Sequence, residues 1–349
     1  MMCLRAWAIL AAAWVCVAMP GVLQLQRPEP IFLAGAHIEE IVSFVESFDG
    51  PRDLQVFDFF SGASNFMKQA QCRDMPTARY DMRWNPQHDF LTKDGFFCGL
   101  GLALRVARNG FVPAGPRCSL WLRFMSSSFH KRSSLGVLGD YTGSVDVLKA
   151  NVMNENFSVA LLILHKRMVG SLVENPGGSW YFEYPSTAYV MALLGWATRH
   201  TWMKAFNHFS PKPTLLTGSI SDIDKLQKKW SHERQNEKTK QIKKRLKQMN
   251  LNFGRRTAVK FWIKRASVNK QKACNVSYVN ANGFTCGGKH MKDSGEYTVL
   301  FCKMALDAHA SSEDQPGIDM DLRLMLEELP YPMADHLKRE QEQHTTPKK

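Results

Sequence analysis

This sequence predicts an α/β fold, a parallel sheet covered by helices on both faces, and three observations carry that expectation. Between residues 37 and 206, short apolar and aromatic runs of strand character alternate with segments of helical periodicity. Three loops of unusual composition, 61–65, 115–119 and 174–178, each fall at the carboxyl end of a predicted strand, where ligands bind in such sheets. The 349 residues are 44% hydrophobic and 11% aromatic, enough to bury a core and to exclude a wholly disordered chain.

The first helix is predicted over 37–48, because Ile38, Ile41, Val42, Val45 and Phe48 share one face and Gly50-Pro51 ends the pattern. The run from Gln55 to Phe60 reads as the first strand. A glycine turn at Ser61-Gly62 follows, then a short helix to about Ala70. A second strand is expected at 78–81 and a helix over 94–107, closed by Asn109-Gly110. Phe111-Val112-Pro113 leads into Gly115-Pro116-Arg117-Cys118. A long helix runs from an N-cap at Ser144 to about Arg167, with Val145, Leu148, Val152, Phe157, Leu161 and Leu164 as its stripe. Residues 171–176 read as a strand ending in a turn, 185–196 as a helix and 200–206 as a strand.

Outside this core, the two ends differ in character. Arg5 precedes an apolar run over 6–18 that closes on Cys16-Val17-Ala18, the grammar of a secretory signal peptide over 1–18. The run falls short of the ~20 residues that span a bilayer. An uncleaved anchor reaching Leu25 is the competing reading. Entry to the secretory pathway would take the chain out of the cell or to an organelle, away from nuclear DNA. Residues 19–50 form an N-terminal helical segment and 51–220 the α/β domain. Residues 222–272 hold 17 Lys/Arg against 4 Asp/Glu, a net of +13 that equals the formal charge of the whole chain. That stretch, within a segment 221–272, reads as a basic helical arm able to contact nucleic acid or another polyanion. A small C-terminal unit is expected over 273–329 and a disordered tail over 330–349. The eight cysteines include no CxxC, and no HExxH occurs, so the sequence supports no metal site. Glycosylation sequons stand at Asn156 and Asn275, the first inside a predicted helix.

Chemistry concentrates at the three loops. A glycine turn between strand and helix lets backbone N–H groups approach a nucleotide, and Asp81 closes the second strand where a carboxylate can accept from ribose hydroxyls. A tight βα turn and a solvated strand-end carboxylate are the plainer readings of these two. Cys118 at a strand end can be a nucleophile if cations such as Arg117 and Arg123 lower its pKa; otherwise it is an inert thiol. Glu174 at the next strand end can exchange a proton with a substrate facing that sulfur, or simply form the turn.

The order of these motifs resembles the catalytic half of the cytosine-C5 DNA methyltransferases, over roughly residues 53–218. It is also similar to a group of uncharacterised dinoflagellate algal proteins with the same loops and a Lys-Pro-Thr strand like Lys212-Pro213-Thr214. The resemblance implies a Rossmann-like methyltransferase sheet that binds S-adenosylmethionine through Phe60, Ser61 and Gly62, with Asp81 on the ribose and Asp89 on the adenine side. It implies Cys118 as the nucleophile toward cytosine C6 and Glu174 as the acid at N3, with Asn175 and Arg117 beside the base. The sequence departs from the family at Arg117, where a proline precedes the cysteine, at Pro176 in place of valine, and at Ser64 in place of a second glycine. No Gln-x-Arg-x-Arg strand and no closing Gly-Asn-x-Val motif are found. These departures keep open a noncatalytic version of the fold that serves as a polyanion or nucleic-acid binding module, and a secreted protein of unrelated role is the third reading.

Overall fold

The computed structural model describes residues 31–123, 130–208, 212–231, 277–279, 285–287, 296–311 and 318–345. The leader and most of the basic stretch, from 232, lie outside the described residues. The described residues cluster as one unit.

Six strands make the central sheet: β1 (Leu54–Phe59), β2 (Thr77–Tyr80), β3 (Val106–Ala114), β4 (Gly170–Pro176), β5 (Arg199–Trp202) and β6 (Pro213–Gly218). Their order is β2-β1-β3-β4-β6-β5. Neighbours from β2 to β4 are parallel, whereas β6 runs antiparallel between β4 and β5. The sheet is therefore mixed rather than wholly parallel. The strand expected over 200–206 stops at Trp202, and Met203–Phe206 turns as a 3-10 helix. That turn lets the chain reverse directly into β6, with no helical crossover of the kind a parallel neighbour needs.

Helices α1 (Ile38–Glu46), α2 (Asn65–Gln71), α3 (Lys93–Leu104), α4 (Val145–Lys166) and α5 (Pro185–Leu193) fall where helical periodicity places them. Alternation along the strands separates two cores, one on each face of the sheet. Phe57, Phe59, Val112 and Val173 face one way, against Phe96, Leu100, Phe157 and Leu161 of α3 and α4. Val56, Phe111, Leu172 and Leu216 face the other way, against Phe66 of α2 and Phe301, Cys302 and Ala305 of α6 (Val299–Ala310). This is the Rossmann-like α/β arrangement, with helices on both faces. The helix α4 is long and apolar enough to cross a membrane by length and composition, but 78% of its most apolar window is buried in this core.

Two expectations about the C-terminal part are corrected. The residues from 296 are not a separate unit, because α6 completes the second core. A further short helix, α7 (Leu322–Glu327), puts Met325 and Leu326 into the first core. The tail is helical over α8 (Pro332–Thr345). Its composition is polar, but its first turn is anchored: Met333 is fully buried, and its N–H donates to Glu155 Oε1 at 2.9 Å. Tyr184 donates its O–H to the same oxygen at 2.7 Å. One buried carboxylate thus holds the start of a helix that carries few apolar residues of its own. The first described residues of the basic stretch, 222–231, form a 3-10 turn at Ile223–Leu226 rather than a long helix. Ser277–Val279 and Thr285–Gly287 pair as a small antiparallel hairpin.

Chain order about β1 locates the site. From β1 the chain moves outward to β2, then crosses to the opposite side of β1 to form β3. The order reverses there, and in open α/β sheets ligands bind in the crevice at that reversal, beyond the carboxyl ends of the strands.

Candidate functional site

All three loops singled out by the sequence stand on this carboxyl rim. After β1 the chain turns at once: Phe60 (φ 55°), Gly62 (φ 51°) and Ser64 (φ 55°) are all left-handed. An added Cβ at Gly62 would have only Arg83 Nη1 nearby, at 3.8 Å, so the backbone conformation rather than crowding selects glycine. Ser61 is buried, and its Oγ accepts from the Ser64 hydroxyl at 3.1 Å.

Asp81 follows the end of β2 and joins this loop. Its Oδ2 accepts from Gly62 N–H at 2.9 Å and its Oδ1 from Arg83 N–H at 2.8 Å. Trp84 closes the same corner, donating its Nε1–H to the Gly62 carbonyl at 3.0 Å, with the Arg79 guanidinium 3.7 Å from its ring centre. Met82 and Trp84 remain 53% and 44% exposed. Sequence reasoning missed both; the available signal was two large apolar side chains within three residues of the strand-end acid. Asp89 lies further along, where Oδ1 accepts from Leu91 N–H at 3.0 Å in the turn before α3. Its carboxyl serves its own loop. Beneath the glycine turn, Asp58 is buried on β1 and accepts from Met67 N–H at 3.2 Å. Burial, with Asp81 adding to it, pushes its carboxyl up to about 8.

The second and third loops meet. Asn175 is fully buried and donates its Nδ2–H to the Pro116 carbonyl at 3.3 Å, which ties the end of β4 to the turn before Cys118. Cys118 is half-buried. Arg117 is exposed, with Nε–H donating to Ser119 Oγ at 3.0 Å. Glu174 is buried, accepting through Oε2 from Tyr297 O–H at 3.1 Å and facing Lys212 Nζ at 3.2 Å through Oε1. Burial pushes the Cys118 thiol above its ordinary range. Lys212 pulls it down, Glu174 raises it further, and Arg117 lowers it. Sulfur, carboxylate, ammonium and guanidinium therefore share one electrostatic neighbourhood, in which desolvation wins. Arg123, expected beside the sulfur, instead ion-pairs with Glu183 and lies 4.0 Å over the Trp180 ring.

Tyr297, just before α6, was not foreseen at the site, and it touches all three loops. Its carbonyl accepts from Asn65 Nδ2–H at 2.7 Å, its hydroxyl reaches Glu174, and a Cβ on Gly115 would stand only 2.2 Å from that hydroxyl. Gly115→Ala is therefore expected to lower stability by about 1–3 kcal/mol through overpacking. Combining it with Tyr297→Phe should cost less than the sum of the two single changes, since the clashing oxygen is gone. Urea melts of the four proteins check this; strict additivity would contradict the contact.

An open groove of about 450 Å³ lies beyond β4, lined by Gly177, Ser179, Arg123, Glu183, His200 and Leu215. No residue of the glycine turn lines it.

No protein-family model matches the chain, and no curated protein matches it. Among solved structures it is similar to the Dnmt2 methyltransferase of S. pombe, at 13% sequence identity and a TM-score of 0.28. The match covers 47% of this chain and 48% of that one, so the chain spans about half the length of the methyltransferase it matches.

Proposed function

We propose that this chain is a methyltransferase-like protein that binds S-adenosylmethionine at the crevice between β1 and β3 and acts on a nucleic-acid base through Cys118. The observation that carries this reading is the meeting of Cys118 and Glu174 on one rim, next to the strand-order reversal. The residues around the glycine turn suit such a nucleoside. Over Gly62 the nearest atom belongs to the side chain of Arg83, and the Asp81 carboxylate, which accepts one N–H on each oxygen, keeps lone pairs for sugar hydroxyls. Met82 and Trp84 offer exposed apolar surface to a flat ring.

Phe60, Ser61 and Gly62 would hold the cofactor at the turn, with Asp81 on the ribose; Asp89 would reach the adenine side only by leaving its own turn. The bound cofactor would supply an electrophilic methyl group. Cys118 would add to a ring carbon of a base taken out of its stack, and Glu174 would hold or protonate a ring nitrogen, with Arg117 and Asn175 bordering the base. Because burial holds the Cys118 proton, the thiolate would form only where nearby positive charge or a proton acceptor offsets that desolvation. The net +13 of residues 222–272 supports a polyanionic partner.

A second reading is favoured by Tyr297, whose hydroxyl already engages Glu174: a noncatalytic fold that persists as a binding module. Thermal or urea unfolding with and without S-adenosylmethionine tests the cofactor assignment. Ligand at 100 times its dissociation constant should add about 2.7 kcal/mol. Asp81→Ala should remove that gain. Absence of any shift at millimolar ligand would leave the binding-module reading standing.

A further inference from the structure

Lys212 precedes β6 with a φ of 35°, left-handed backbone that a lysine rarely takes. Its carbonyl is fixed there, accepting from Met203 N–H at 3.0 Å and from the Thr214 hydroxyl at 3.1 Å. This backbone delivers the ammonium to Glu174 Oε1 at 3.2 Å, and both side chains are only 8% exposed. The ammonium also lies 5.6 Å from the centre of the Tyr297 ring. Two costly features coincide here, an unfavourable backbone angle and a desolvated ion pair. A buried pair is weak evidence of stabilisation, because desolvation offsets the attraction. Strain kept at a cleft points instead to a functional constraint. Among the groups acting on the Cys118 sulfur, Lys212 is the strongest that favours the thiolate, ahead of Arg117, while burial and Glu174 oppose it.

We propose that Lys212 is a positioning residue of the Cys118 site: its ammonium fixes the Glu174 carboxylate and offsets that negative charge at the sulfur, so a thiolate can form beside a carboxylate. The assignment rests on the reading of Cys118 as a nucleophile, but it can be tested without any methyl transfer. Iodoacetamide reports on the thiolate: the deprotonated sulfur attacks the CH2 carbon, a C–S bond forms and iodide leaves. Full-length protein would be alkylated across about pH 7 to 10 and the modification of Cys118 followed by peptide mapping, with the exposed Cys72 and Cys98 as internal controls. Lys212→Met should slow Cys118 alkylation about tenfold at a given pH by moving its midpoint up about one unit. Lys212→Arg should restore the rate, and Glu174→Gln should raise it. A loosened fold would expose the sulfur and speed the reaction, so a slower rate cannot come from structural damage. A Lys212→Met midpoint equal to that of the unaltered protein would overturn the proposal. If Lys212→Met fails to fold, Lys212→Gln replaces it: a Cys118 midpoint raised above that of the unaltered protein supports the proposal, and an unmoved midpoint overturns it. Loss of the S-adenosylmethionine stability gain would strike the cofactor assignment and leave this alkylation profile in place.

Discussion

Asn156→Ala is expected to lower the unfolding free energy by about 4 kcal/mol, among the larger effects a single substitution produces. Asn156 is fully buried in α4 and bonds three backbone groups from two other segments. Its Oδ1 accepts from Ala34 N–H at 3.0 Å, and its Nδ2 donates to the carbonyls of Phe32 and Phe90, each at 3.1 Å. Alanine leaves all three buried and unsatisfied, and such groups cost about 1–3 kcal/mol each. Asn156→Asp separates polarity from volume. It keeps the shape but sets a carboxylate against two carbonyl oxygens, so it should be at least as damaging near neutral pH and recover partly in acid, where a proton restores one donor. Urea melts of the three proteins decide the matter. A loss below about 1 kcal/mol for both would show that the first segment is not held by this side chain. The same geometry removes the sequon from consideration: a fully buried asparagine with both amide hydrogens engaged carries no glycan in the folded chain.

That residue illustrates what the sequence can and cannot disclose. The burial of Val152, Phe157 and Leu161 in α4 was legible from their apolar character, whereas Val145, read into the same stripe, is 64% exposed, and 154–165 is buried on every face rather than along one stripe. Asn156 occupies the same buried stretch, yet nothing local distinguishes it from a solvated asparagine; its three partners come from residues 32, 34 and 90. The glycine turn, Asp81, Cys118 and Glu174 were legible as strand-end loops, and the strand order explains why they gather on one rim. Tyr297 and Lys212 were not legible as site residues, since each meets Glu174 from a distant part of the chain, Tyr297 across 123 residues and Lys212 from the start of a separate strand, through a contact that only the fold assembles. The helical tail escaped for a related reason. Its hold on the domain includes a backbone N–H to the carboxylate of Glu155, the buried Tyr331 and Met333, and a His336 ring set against Tyr141, none of which leaves a pattern in a polar sequence. The antiparallel β6 escaped because adjacent strands of either direction share the same apolar content, and only the connection between them sets the sense.

The buried carboxyl of Asp58 should make stability depend on pH in a direction opposite to acid denaturation. Its folded value is pushed up to about 8 from 3.8, chiefly by burial, so the folded state holds this proton more tightly than the unfolded chain does. The stabilisation from that proton is complete below the unfolded value and is lost as pH rises through the folded one. Glu155, pushed up to about 7 by burial, acts in the same sense over a shorter span. Buried His130, His165 and His309 act against both: their values are lowered by burial, so their stabilisation is present above the unfolded value and lost as pH falls. Comparing Asp58→Asn with the unaltered protein cancels Glu155 and the histidines. Asparagine keeps an oxygen for Met67 N–H and cannot ionise, so any fixed cost of its extra N–H enters equally at every pH. Between pH 6 and 8 the variant should gain on the unaltered protein by about 2.3 kcal/mol, because the limiting slope of about 1.4 kcal/mol per pH unit falls to half as pH reaches the folded value. Chemical denaturation at half-unit steps reads this as a difference in slope. Parallel curves would mean that Asp58 ionises at its ordinary value beneath the glycine turn, and that the floor of the crevice is wetter than its packing implies.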